Sequence, residues 1–376
     1  MYNDIEIFYK AFEKDHRIQV LYPQIKDLHI DNPYLYYYQA RGAFECDHNY
    51  KKAEKLIIKC LDLFESGNDD VEQHFKFKLK YRSICYTKAY MLAGQIFAQN
   101  DKKQESLEAY IKYIYWTEQV ENETFKEKQN VILYSFRRIN QYTLADLINN
   151  EITVCSPSRM NDPFDSLASF WSKPEHLDKI CKLKEKKKFI PIYSQAFKYF
   201  RIRSFVANRE TYEADDSILQ RIHMWSFYAD EHKGMCIRYS LSRHFIKRER
   251  KNIQENKYCH TRIFPIKYGP EIKLKERINT DIEFGYKNKF WEPENEVRLL
   301  SYNPTTESDF FGEPIDELSY IEEITFGLFC EEKNMETVYN LVHQKYPQAQ
   351  FYKMEIDTGQ NNLYKLRKRK YEKPNA

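Results

Sequence analysis

Phe290-Trp291-Glu292-Pro293-Glu294-Asn295-Glu296-Val297-Arg298-Leu299-Leu300 is the stretch from which the rest of this 376-residue sequence is read. Two carboxylates two residues apart run straight into an apolar segment. This predicts a strand on which Glu294, Glu296 and Arg298 share one face. A carboxylate at a strand entrance, with an indole beside it and a guanidinium one step further in, can bind a ribose hydroxyl or stabilise a developing cation. The same charges would also suit the solvated face of an edge strand.

Working outward, residues 131–137 read as a strand, 142–148 as a helix and 151–155 as a second strand. Ser156 to Asp165 is a loop dense in turn formers, in which Asn161 and Asp162 either close turns or contact a ligand. Strands are predicted at 202–207, 235–239, 262–268, 296–302, 321–326 and 350–356, with helices at 223–230 and 334–345. Short strands mixed with helices in this order predict an α+β domain with a largely antiparallel sheet. The basic end, 363–376, reads as frayed.

Residues 3–121 differ, with apolar positions three and four apart throughout. Tyr37 to Phe44, a turn at Asp47 to Asn49, and Tyr50 to Cys60 form one helix-turn-helix; Tyr90 to Phe97, a turn at Asn100 and Asp101, and Ser106 to Tyr113 form another. The second unit resembles a tetratricopeptide repeat, with Gly94, Phe97, Ser106 and Tyr110 at the small and aromatic positions. That resemblance implies a module that binds a protein or peptide partner. The polar stretch between Trp116 and Gln129 marks the boundary, giving a helical domain at 1–128 and an α+β domain at 129–376.

Hydrophobic content of 42% suffices for packed cores, and no apolar run approaches a membrane span. The start has no basic or apolar leader, so a cytoplasmic protein is expected. The eight cysteines form no Cys-x-x-Cys pair and read as reduced core residues. Neither they nor the ten histidines show metal spacing, so no metal site is expected. The nine glycines form no phosphate loop. Net charge is only +3, yet basic runs occur at 184–188, 243–251 and 365–373, so a nucleic-acid partner stays open beside a merely solvated surface.

Four separated blocks then match one pattern. Leu133 to Phe136, Ser156 to Ser158 with Asn161 to Asp165, Met224 to Asp230 with Lys233 to Ile237, and Phe290 to Leu299 resemble the bacterial domain of unknown function 2971 family over roughly 131–367. A looser likeness is to the ADP-ribosyltransferase fold, in which an early strand carries Arg or His, a middle strand Ser or Tyr, and a later strand opens with Glu-x-Glu-Val. It implies NAD as substrate, Glu296 as the group that binds the ribose and stabilises the oxocarbenium-like transition state, and Glu294 as the group that orients or deprotonates the acceptor. Arg137 would be the basic first-strand residue, since Ser135 stands where a His is expected. Tyr134, Ser204, Trp225, Tyr228, Asn161 and Asp162 are the candidate nucleotide contacts. The likeness implies a toxin or phage-defence effector sensing through its helical domain. Two other classes fit the sequence: an RNA- or DNA-binding or RNA-modifying module with Trp225 and Tyr228 as stacking platforms, and a non-catalytic interaction scaffold.

Overall fold

The computed structural model describes residues 18–66, 79–120, 129–160, 165, 189–252, 257–270, 284–305, 308–358 and 365–373. The chain forms two compact units, Met1–Glu121 with Trp171–Lys198, and Asn122–Phe170 with Tyr199–Ala376. The chain first divides between Glu121 and Asn122, and Trp171–Lys198 returns to the first unit, so neither unit is continuous in sequence. The helix Phe189–Ala196 belongs to the first unit, because Tyr193 packs its ring against Tyr110 at 5.0 Å.

The first unit contains helices α1 (Ile18–Ile25), α2 (Pro33–Glu45), α3 (Tyr50–Glu65), α4 (Leu79–Gln99) and α5 (Lys103–Val120). Asn32 opens α2 by accepting hydrogen bonds from the Tyr34 and Leu35 amides at 2.9 and 3.1 Å, with Pro33 in the first helical position. The hairpins α2 with α3 and α4 with α5 follow the predicted segments. At the second crossing Gly94 lies under Tyr110: a Cβ there would sit 2.5 Å from the ring. Ser106 Oγ donates to Gly94 O at 2.7 Å, so these two helices approach closely only with small residues at both places.

The second unit is α+β. Its elements are β1 (Asn130–Arg137), α6 (Gln141–Asn149), β2 (Glu151–Cys155), β3 (Phe200–Val206), α7 (Ile222–Tyr228), β4 (Met235–Ser242), β5 (Lys247–Asn252), β6 (Lys257–Pro265), β7 (Lys267–Gly269), β8 (Tyr286–Asn288), β9 (Glu296–Tyr302), β10 (Phe310–Pro314), β11 (Tyr320–Phe326), α8 (Glu332–Lys345), β12 (Gln350–Ile356) and β13 (Leu366–Lys370). Among the described residues eleven strands make one sheet in the order β13-β12-β11-β4-β1-β3-β9-β6-β5, with β2 joining β3 from the side and carrying β10. Every pair in this sheet is antiparallel except β11 with β12, where α8 supplies the crossover, and β7 and β8 form a separate parallel pair.

Alternation along each strand separates two cores. Leu133, Phe205, Ile237, Leu299 and Ile324 face one side, under α8. Tyr134, Phe136, Val206 and Cys236 face the other, against Met224 and Trp225 of α7. The sequence missed β13. Rather than fraying, Leu366 buries its side chain and Lys368 bonds Glu323 at 2.8 Å and Asp216 at 2.9 Å. Its alternation is masked because nearly every position is basic. No helix among the described residues is long and apolar enough to cross a membrane.

Candidate functional site

On the α7 side of the sheet, three adjacent strands place their side chains under one cavity. Register sets Tyr134 of β1 opposite Val206 of β3, and Val206 opposite Glu296 of β9. Two pairs further along, on the same face, Ser204 lies opposite Arg298. The cavity, of about 300 Å³, is lined by Tyr134, Ser204, Tyr228, Trp291, Glu294 and Glu296 among others. That volume is at the lower end for small-molecule sites.

The two glutamates reach this place by different routes. Glu296 opens β9, as expected. Glu294 instead ends a 3-10 turn, Lys289–Glu294, and Asn295 between them adopts a left-handed conformation with φ of 50°. Asn is among the few non-glycine residues that tolerate it, and its Nδ2 donates to Ala207 O at 3.1 Å. Arg221 Nη1 holds the turn from outside by donating to Pro293 O and Glu294 O at 3.0 and 2.9 Å. The strand-face rule therefore gave the right convergence through the wrong backbone.

A buried network of five charges surrounds them. Glu296 Oε1 accepts from Ser204 Oγ at 2.5 Å and Arg298 Nε at 2.6 Å, and its Oε2 accepts from Lys287 Nζ at 3.1 Å. Glu294 Oε2 accepts from the same Lys287 Nζ at 2.6 Å, and its Oε1 from Tyr228 Oη at 2.6 Å. Arg298 Nη2 bonds Asp165, and Nη1 donates to Phe284 O at 2.8 Å. Glu294, Glu296, Asp165, Lys287 and Arg298 are each at most 5% exposed. Three carboxylates against two cations leave the cluster one negative charge in excess when all are ionised.

The electrostatics follow. Burial opposes ionisation of Glu296, but the Arg298 guanidinium and Lys287 ammonium outweigh it and hold the carboxyl down at about 2. Burial pushes Asp165 above the ordinary carboxylate value despite Arg298. Lys287 loses by burial and gains more from Glu296 and Asp165, so its pKa is raised. Burial and the neighbouring Glu294 raise the Tyr228 hydroxyl. Glu296 is therefore ionised at neutral pH; among the described residues three of its roughly four lone-pair positions are occupied, leaving one on Oε2 that a ligand hydroxyl could use.

Of the residues singled out in the sequence, Glu294, Glu296, Ser204, Tyr134 and Tyr228 come together here. Arg137 does not. It shares the face of Leu133 and Ser135, on the other side of β1 from Tyr134, and its Nη1 bonds Asp146 of α6 at 3.3 Å. Trp225 does not touch the cavity either. It is 0% exposed, its Nε1 donates to Leu219 O at 2.8 Å, and its ring meets Phe136 edge-on at 5.0 Å, so it backs the cavity wall. Asn161 and Asp162 lie outside the described residues, though Asp165 of the same loop is in the network. Sequence reasoning missed Lys287. It sits in a three-residue strand with its Nζ 5.0 Å from the Trp291 ring centroid, and nothing in Tyr286-Lys287-Asn288-Lys289 distinguishes it from a surface lysine. Comparison of the chain with protein-family models, curated proteins and solved structures finds no match.

Proposed function

We propose that the chain is an ADP-ribosyltransferase-like enzyme that takes NAD as substrate, with Glu296 as its central catalytic group. The observation that carries this reading is the Ser204 to Glu296 hydrogen bond between neighbouring strands, inside a cavity whose third strand presents Tyr134. β1, β3 and β9, which the likeness takes as its early, middle and Glu-x-Glu-Val strands, are neighbours in the sheet, and this adjacency supports the reading. The resemblance to the domain of unknown function 2971 family belongs to the same proposal.

In this reading the nicotinamide riboside end occupies the cavity and the rest of the dinucleotide extends through its mouth. The bond from ribose C1′ to the nicotinamide nitrogen breaks, its electron pair leaving with neutral nicotinamide. Glu296, permanently ionised, holds a ribose hydroxyl and stabilises the positive charge developing at C1′. The acceptor nucleophile bonds C1′ and gives its proton to Glu294, which Tyr228 and Lys287 orient. Arg137 has no part in this scheme, and Trp225 acts only through the wall it supports. The helical unit is the partner-binding or sensing module of a cytoplasmic toxin or phage-defence effector.

The test is nicotinamide release from NAD by the purified chain, followed with label in the nicotinamide and in the adenylate. Release that falls at least about a hundredfold in Glu296→Gln supports the reading. Neither NAD binding nor release, with and without cell extract as acceptor source, overturns it.

A further inference from the structure

The opposite face of the sheet carries a second polar cluster that the proposed reaction leaves unused. β3 meets β1 at Tyr134 opposite Val206, and meets β2 at Cys155 opposite Ile202. Between these two points the sheet forks. Arg203 projects into the fork from β3, where its Nη2 donates to Ser135 Oγ at 2.6 Å. Its Nε is sealed from solvent and has no partner among the described residues.

Arg137, two residues along β1 from Ser135, enters the same region and bonds Asp146 at 3.3 Å. Asp146 is already shared, since it also accepts from Thr153. Two guanidiniums therefore face one carboxylate. On α6, one turn before Asp146 and on its face, the Thr143 hydroxyl is buried and likewise without a partner among the described residues. Burial and the charge of Arg137 push the Arg203 guanidinium down to about 10. A half-buried cation in excess, with sealed and unused donors around it, is unfavourable unless an anion completes it.

We propose that this fork is a binding site for a phosphate group, held by the guanidiniums of Arg203 and Arg137 with the Ser135 hydroxyl beside them. Phosphate fits better than carboxylate because two separate guanidinium forks present more donors than two oxygens accept, and its second charge offsets the excess cation. The site lies across the sheet from Glu296 and does not depend on the transferase reading.

The probes are inorganic phosphate, chloride at matched ionic strength, AMP and adenosine, read by thermal shift and calorimetry on the full chain. Phosphate should stabilise the protein saturably where chloride does not, and Arg203→Gln should weaken phosphate at least about tenfold. Arg137→Gln, whose side chain is partly exposed, should do the same and decides the matter if Arg203→Gln does not fold. Stronger binding of AMP than phosphate, with adenosine inert, identifies a nucleotide phosphate; equal binding identifies free phosphate. A phosphate effect no larger than that of chloride, or one that survives both substitutions, overturns the site.

Discussion

Lys287 Nζ stands between Glu294 and Glu296, 2.6 Å from one carboxylate and 3.1 Å from the other. A single ammonium thus bridges two buried carboxylates. Lys287→Met should therefore destabilise the α+β unit by about 3 to 5 kcal/mol, the cost of leaving buried charge uncompensated. Chemical denaturation read by tryptophan fluorescence checks this. A loss below about 1 kcal/mol would show that water or another cation takes over.

Glu296→Gln keeps the shape and removes the charge. The cluster then has two carboxylates for two cations, so the stability loss should be smaller than for Lys287→Met while nicotinamide release falls at least about a hundredfold. Both measurements on one preparation separate a catalytic carboxylate from a structural one.

Acid stability tests the same residue. The folded pKa of Glu296, about 2, lies below its ordinary value, so the stability it contributes is complete above the ordinary carboxylate range and is lost as pH falls toward 2. Asp165 is shifted upward and acts oppositely, gaining relative stability as it protonates. Glu296→Gln should flatten the fall in stability between about pH 4.5 and 2. An unchanged slope would mean that Glu296 titrates like an exposed carboxylate.

Ser204→Ala removes one donor from Glu296 and leaves Arg298 and Lys287 in place. A stability cost of about 1 to 2 kcal/mol is expected for the lost charge-assisted bond. In the transferase reading kcat should fall more than KM rises, since Ser204 orients the carboxylate rather than fixing the nucleotide. A pure rise in KM would make it a binding contact.

In the helical unit, Gly94→Ala would drive a methyl into Tyr110, at a cost of about 1 to 3 kcal/mol despite the better helix propensity of alanine. Adding Tyr110→Leu should recover part of that loss. Circular dichroism melts of the two variants decide, and a Gly94→Ala chain as stable as the parent would show that the ring swings aside.

Much of this was legible because local patterns were strong. The helix after β1, the apolar alternation of β4 and the hairpins around Gly94 are set by near neighbours in sequence. The position of Glu296 was legible for the same reason. Arg137 was not: a strand's two faces look alike until the register Tyr134 opposite Val206 assigns one to the cavity. Lys287 became visible only through the fold, which brings β8 beside Glu294 and Glu296. The return of Phe189–Ala196 to the first unit had no local signal, because it depends on Tyr193 meeting Tyr110 far upstream. β13 was hidden by charge density rather than by lack of alternation.

β13 closes the sheet at β12, whose Phe351, Tyr352, Met354 and Ile356 would otherwise end it as a mostly apolar row of unpaired backbone groups. Such an edge invites other chains to add on, and a strand studded with Arg367, Lys368, Arg369 and Lys370 repels them. The basic segment thereby acts as a guard on solubility. A chain cut after residue 364 should retain the Glu296 cavity yet self-associate as its concentration rises, because the aggregation-prone strand has lost its fence.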